Sequence, residues 1–204
     1  MYDSGIAART LISNVSSEAD ITIPIDSESW YRWINAVEQF VYTEILNEYT
    51  SVTLNYAELT NDTINLNNDI TTANGCAAPN FDDIIKIYAD ETELDRTSVI
   101  SGLIFVDKPL YYTDYSGNIK MNLTGYPENI VIVYRLRPEL KSSLTDRNIN
   151  IPIEFIDMLA ARMRGEAYKI ANEDNLSAKW LSDYNIQLES FKLWATRRNE
   201  RYGE

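Results

Sequence analysis

At 204 residues, with 45% hydrophobic and 24% charged side chains, 14 Tyr and 4 Trp, the chain can bury a sizeable core and is not a disordered segment. It has no His, which removes Ser-His-Asp and Cys-His catalysis and the two-His zinc sites. With 31 acidic against 18 basic residues it repels phosphate backbones, which excludes wrapping of nucleic acid but not the passage of DNA past the protein.

The charge is uneven. Residues 1 to 50 carry 8 acidic and 2 basic side chains, residues 51 to 130 carry 12 and 4, and residues 131 to 204 carry 11 and 12. The single cysteine, Cys76, rules out an intramolecular disulfide and fits a reducing compartment. Met1 to Gly5 shows no basic start leading into an apolar run, so no secretory signal is expected. The longest apolar runs, near Leu103 to Val106 and Ile130 to Tyr134, fall far short of the roughly 20 residues that span a bilayer.

In chain order, Ile6 to Ser13 reads as a short helical stretch, followed by a polar link and an extended Ile21-Thr22-Ile23-Pro24. Residues 1–24 are therefore expected to form a mobile or partner-bound arm. Asp26 and Ser27 are candidate N-caps for a helix with Glu28 in its first turn. Trp30, Trp33, Ile34, Val37, Phe40, Val41 and Ile45 would lie on its buried face up to about Glu48. From Thr50 to Ile149 the period changes to that of strands. Val52, Leu54 and Tyr56 alternate, Asp82 to Tyr88 and Ser98 to Val106 are strand-like, Ser116-Gly117-Asn118 splits a hairpin, and Ile130 to Tyr134 is β-branched until Pro138. Thr60 to Pro79 is rich in Asn and Thr and reads as a long loop or weak hairpin.

Helical period returns at Asn150 or Ile151, with Pro152 in the first turn and a stripe of Ile153, Ile156, Ala160, Met163, Ala167 and Ile170. Asn172 to Asn175 breaks it, and a second stripe follows through Leu181, Tyr184, Leu188, Phe191 and Ala195. Two such helices joined by about five residues must fold back antiparallel. The expected fold is α+β. One N-terminal helix and the C-terminal hairpin form a three-helix layer (25–49 and 150–204), with a β insertion (50–149) of four to six mostly antiparallel strands.

No catalytic, metal or cofactor site is expected. The seven Gly never fall at phosphate-loop or dinucleotide spacing. Paired carboxylates are the one catalytic plan that needs no His, and Asp82-Asp83 with Asp90, Glu91, Glu93 and Asp95 are its candidates; an exposed charged turn is the simpler reading. Tyr111, Tyr112, Tyr115 and Tyr126 suggest a subunit or tail interface, or alternatively a carbohydrate- or receptor-binding hairpin. Arg197, Arg198, Arg201 and Tyr202 form a basic tip that either complements the helix dipole or docks an acidic partner such as a portal.

The order of segments carries a resemblance. A helix with Trp-Tyr-Arg-Trp-Ile-Asn-Ala-Val-Glu-Gln, a strand region ending in PENIVIVYRLRPEL, an Ile-Pro-Ile-Glu-Phe-Ile-Asp helix start and a final helix with a basic end resemble the adaptor proteins of short-tailed phages. These are the tail-tubular or gatekeeper-type ring under the portal and the related ring proteins of crAss-like phages. The resemblance covers about residues 25 to 201, although Thr60 to Pro79 has no counterpart in it. It implies a structural virion protein of the neck, made in the host cytoplasm. It further implies a ring of twelve copies between portal protein and the next tail or ring protein, through which genomic DNA passes without specific binding. It implies no enzyme activity, cofactor or membrane.

Overall fold

A computed structural model of the chain describes residues 2–19, 23–24, 26–70, 76–97, 108–114 and 116–202, except the side chains at 19, 201 and 202. The fold is α+β, with four helices and two mostly antiparallel four-stranded sheets among the described residues. Two compact units divide it, residues 1–46 with 138–204, and residues 47–137.

The helical unit begins with the segment expected to be an arm, and here the expectation fails. Ser4 N–H donates to the Ile149 carbonyl (3.0 Å), Ile149 N–H to Ile6 (2.8 Å) and Ala8 N–H to Arg147 (2.9 Å), so the chain start is pinned before α1 (Ala8–Ala19) begins. Asp146 accepts the Arg9 N–H at 3.0 Å, placing a carboxylate at the positive end of α1. Ala8, Leu11, Ile12 and Val15 are buried at spacings of three and four. The short helical pattern at Ile6 to Ser13 was the first half of this helix, and Ser16 and Ser17 hid the rest. Ile21 and Thr22 of the expected extended stretch lie outside the described residues.

Helix α2 (Glu28–Phe40) starts where expected, with the Ser27 side chain accepting from the Ser29 N–H. Beyond Phe40 the chain winds on as a π-helix, Val41–Leu46. Val41, Thr43 and Ile45 are β-branched and weaken the α-helical ladder, and the Thr43 hydroxyl takes the Gln39 carbonyl at 2.9 Å. The wider turn changes the phase of the stripe. Val41, Tyr42 and Leu46 are buried, whereas Phe40 is exposed and Ile45 half-buried.

Asn150 and Pro152 also take other places than expected. Pro152 caps a 3-10 turn, Ile153–Phe155, and α3 runs from Ile156 to Ile170. The Asn150 side chain is engaged elsewhere, accepting from Lys141 Nζ at 2.8 Å and donating to the Tyr2 carbonyl at 3.1 Å. Helix α3 contacts α1, α2 and the last helix, α4 (Asp174–Tyr202). Met158, Leu159, Ala160, Ala161, Met163 and Ala167 are therefore buried round much of its circumference, while Ile153 and Ile170 at the ends of the predicted stripe are exposed. The α3–α4 turn is short, with Asn172 at φ +60, a left-handed conformation that Asn tolerates.

In the second unit the strands are β1 (Tyr49–Asn55), β2 (Thr63–Ile64), β3 (Ile84–Ala89), β4 (Thr92–Glu93), β5 (Asp95–Arg96), β6 (Leu110–Thr113), β7 (Ile119–Asn122) and β8 (Asn129–Arg135). One sheet runs β1-β8-β3-β4 and the other β2-β7-β6-β5, with β5–β6 the parallel pair. The eight strands among the described residues exceed the expected four to six because three are two residues long, too short for alternation to register. Ser98 to Val106, expected as a strand, lies outside the described residues, as do 71–75 of the Asn-rich and Thr-rich stretch. Within that stretch Thr63–Ile64 pairs with β7, and Leu66 and Ile70 are buried. The expected turn joins β6 to β7, where the Asp114 carboxylate accepts from Ser116 and Asn118 N–H and Gly117 adopts φ +81.

Candidate functional site

Helix α4 places two unlike surfaces side by side. Tyr184, Leu188, Phe191 and Ala195, spaced by three and four, are buried within the helical unit. A second apolar pair, Ile186 and Leu193, sits two turns apart on an outward face, 64% and 60% exposed, with exposed Arg197 about a turn further on. On the adjoining face Lys192, Thr196 and Asn199 form one wall of a groove of about 400 Å³ whose other wall is Phe40, Glu44 and Ile45. Phe40 reaches this groove from the end of α2, and Ile45 from the π-helix that follows it. Lys192 is held by Glu189 at 2.7 Å. Glu44 and Arg197 are exposed, and among the described residues neither has an ion-pair partner.

The expected basic tip is only partly a free surface. Arg198 lies 5.1 Å from the Tyr2 ring and 6.0 Å from the Trp194 ring, within cation–π range of both. Trp194 also stacks on Phe191 at 5.4 Å, and Phe155 meets both rings edge-on at 4.8 and 5.4 Å. Arg198 thus closes an aromatic cluster that ties the N-terminus to α4. Arg197 is the exposed member of the tip, and the side chains of Arg201 and Tyr202 lie outside the described residues.

The tyrosines expected to cluster do not share a surface role. Tyr111 is 2% exposed, with its ring 6.0 Å from Phe81, and burial pushes its hydroxyl pKa up. It is a core residue because β6 directs it inward. Tyr112, its neighbour on the strand, is half-buried, and Tyr115 lies outside the described residues. Tyr126 is 94% exposed and faces Tyr56 at 6.4 Å.

The carboxylate candidates are dispersed among separate structural partners. Asp83 is buried, forms a capping box with Asn80 and stands 2.5 Å from Arg137. Asp82 pairs with Arg96 at 3.2 Å and Glu93 with Lys86 at 2.9 Å. Asp90 accepts the N–H groups of Glu128 and Asn129. Among the described residues no three His, Cys, Asp or Glu side chains converge as a metal site would require, and no helix is long and apolar enough to cross a membrane. Cys76 is buried, which raises its thiol pKa.

Sequence reasoning missed the Ile186–Leu193 face and the groove. The first was legible as a seven-residue spacing off the main stripe. The groove depends on the π-helix, whose only trace in sequence is the β-branched run of Val41, Thr43 and Ile45. No protein-family model matches the chain, and no curated protein is significantly similar to it.

Proposed function

We propose that the chain is a ring-forming structural subunit of a virion, a head-to-tail connector that joins portal to tail around the DNA channel. The observation that carries this reading is the presence, within one helical unit, of an apolar projection at Ile186 and Leu193 of α4 beside an uncovered groove between α4 and the Phe40 and Ile45 end of α2 and its π-helix. Subunits of a closed ring bind head-to-tail, so each copy needs two different adhesive surfaces. The unpaired charges support the match, because Arg197 flanks the projection and Glu44 flanks the groove. The acidic balance suits a channel that DNA must traverse without being held. The resemblance in segment order supplies the place in the neck, with the portal on one side and the next ring or tail protein on the other.

Mass photometry and cryo-electron microscopy of the chain, alone and mixed with a portal ring, test the reading. A ring in either state is expected, and the pair Ile186→Glu with Leu193→Glu should abolish it while leaving the helical circular dichroism unchanged. A monomer under both conditions overturns the reading.

A further inference from the structure

The sheet edges of the second unit are treated unequally. β2, β4 and β5 are two residues long, and β5 is Asp95–Arg96, both charged. β3 carries a register shift between Ile84 and Lys86, and Lys86 is tied to Glu93 on β4. Shortness, charge and bulges are the devices that keep an edge from pairing with another chain. β1 has none of them. It is seven residues long, Tyr49-Thr50-Ser51-Val52-Thr53-Leu54-Asn55, with no charge, no Pro and no break in its register with β8, and among the described residues nothing pairs with its other side.

The backbone of β1 fixes which groups are open. Leu136 N–H donates to the Glu48 carbonyl (2.8 Å) and Tyr56 N–H to the Glu128 carbonyl (3.0 Å), so both ends of the ladder bond to β8 through even-numbered residues. Since N–H and C=O point to alternate sides along an antiparallel strand, Tyr49, Ser51, Thr53 and Asn55 direct theirs outward. The side chains alternate too. Thr50, Val52 and Leu54 lie opposite the buried Tyr134, Ile132 and Ile130, yet stay half-exposed because no strand lies beyond them.

We infer that this edge pairs with the same edge of a second copy, antiparallel, about a two-fold axis through Val52. In that register Ser51 meets Thr53 and Tyr49 meets Asn55, all with outward-directed backbone groups, so each pair exchanges two hydrogen bonds. Val52 meets Val52 and Thr50 meets Leu54 on the core side. The exposure pattern of β1 reads the same from either end, exposed at odd positions and half-buried at even ones, so every half-buried side chain meets another. No like charges are opposed. A shift of one residue would set outward backbone against inward and the core face against the solvent face, which leaves this register favoured. Every neighbour relation within a single closed ring is head-to-tail, so the two-fold pair is a form of the free chain and does not depend on the connector reading.

Light scattering behind size exclusion, over a dilution series of the full chain, should show a dimer that dissociates on dilution. Thr53→Pro removes an N–H that faces the open edge and spares the ladder to β8, so it should give a monomer with unchanged circular dichroism. Val52→Cys provides a test of register. Two such residues face each other as a non-hydrogen-bonded pair at a Cα separation of about 4.5 Å, within disulfide reach. Mild oxidation should therefore cross-link Val52→Cys quantitatively and Ser51→Cys, which faces Thr53, only weakly. A wild-type chain that is monomeric at its highest soluble concentration overturns the inference, as does a dimer that survives Thr53→Pro or cross-links equally at both positions. A ring unaffected by Thr53→Pro in the absence of any dimer overturns it too, while leaving the connector reading intact.

Discussion

The most demanding residues in the helical unit are Glu38 and Lys141, both with fully buried side chains and in direct ion-pair contact. Glu38 also accepts the Asn150 N–H at 2.6 Å, and the Lys141 main chain is clasped by Asn35, its N–H donating to Oδ1 and its carbonyl accepting from Nδ2, both at 2.8 Å. Burial pushes the Glu38 carboxyl above its ordinary range, against the pull of Lys141 and the Asn150 N–H. A carboxyl raised in this way favours the fold below its unfolded pKa near 4.5, and that contribution is lost as pH rises through the folded value. Lys141→Met removes the counter-charge and should lower stability by about 3–5 kcal/mol at neutral pH. Because Glu38 then remains buried without its cation, its pKa rises further. Acidification should therefore narrow the gap between variant and wild type in urea unfolding, and a gap that is constant from pH 5 to 7.5 would contradict this account. The pair is 103 residues apart in sequence. Glu38 sat on a predicted helix as an ordinary charge and Lys141 in a connecting stretch, and nothing local marks either as buried.

At the scale of elements, the helix hairpin was legible and the tight contact at Gly165 was not. Leu181, Tyr184, Leu188, Phe191 and Ala195 announce one face of α4 by spacing, and Asn172 to Asn175 announces the turn. Gly165 reads in sequence as a mild defect within α3. Its role comes from the partner helix, since a Cβ there would stand 2.7 Å from Leu181 Cγ and Cδ2 and 3.3 Å from the Leu181 nitrogen, and Ser177 Oγ donates to the Gly165 carbonyl at 2.9 Å. Gly165→Ala should gain up to about 1 kcal/mol in helix propensity and lose more by forcing α4 outward. The expected net loss is about 1–2 kcal/mol, a fall of roughly 2–8 °C in melting temperature at about 2–4 °C per kcal/mol. An unchanged or raised melting temperature would mean that the crossing is looser than these distances. The strands divide in the same way. β8, with Ile130, Ile132 and Tyr134 buried in alternation, was visible in sequence, whereas β4 and β5 exist only because β3 and β6 offer them partners.

At the scale of the whole molecule, the chain crosses between the two units twice, at 46/47 and again at 137/138. The predicted boundary at 149/150 fell later because Pro138 to Ile149 has no helical period of its own. That stretch belongs to the helical unit through its bonds, among them Gln39 Nε2 to the Pro138 carbonyl at 3.1 Å and Ala8 N–H to the Arg147 carbonyl at 2.9 Å. Both crossings lie beside one strand pair, since Tyr49 is opposite Arg135 and Leu136 N–H bonds the Glu48 carbonyl. The ends of residues 47–137 are therefore held within a strand spacing of each other, and a closed β unit of roughly 90 residues exceeds the ~40 below which domains need a disulfide or metal. Its buried apolar residues include Ile64, Ile87, Ile119, Ile130 and Ile132. Expressed alone, residues 47–137 should give a dispersed amide spectrum. The remainder, with Leu46 joined to Pro138 through a few Gly and Ser residues, should keep its helical circular dichroism and a cooperative melt. If both pieces fold, the projection and groove of the helical unit and the open β1 edge can be assayed for assembly separately. Collapse of either piece would show that the two units share stability that their separate cores do not account for.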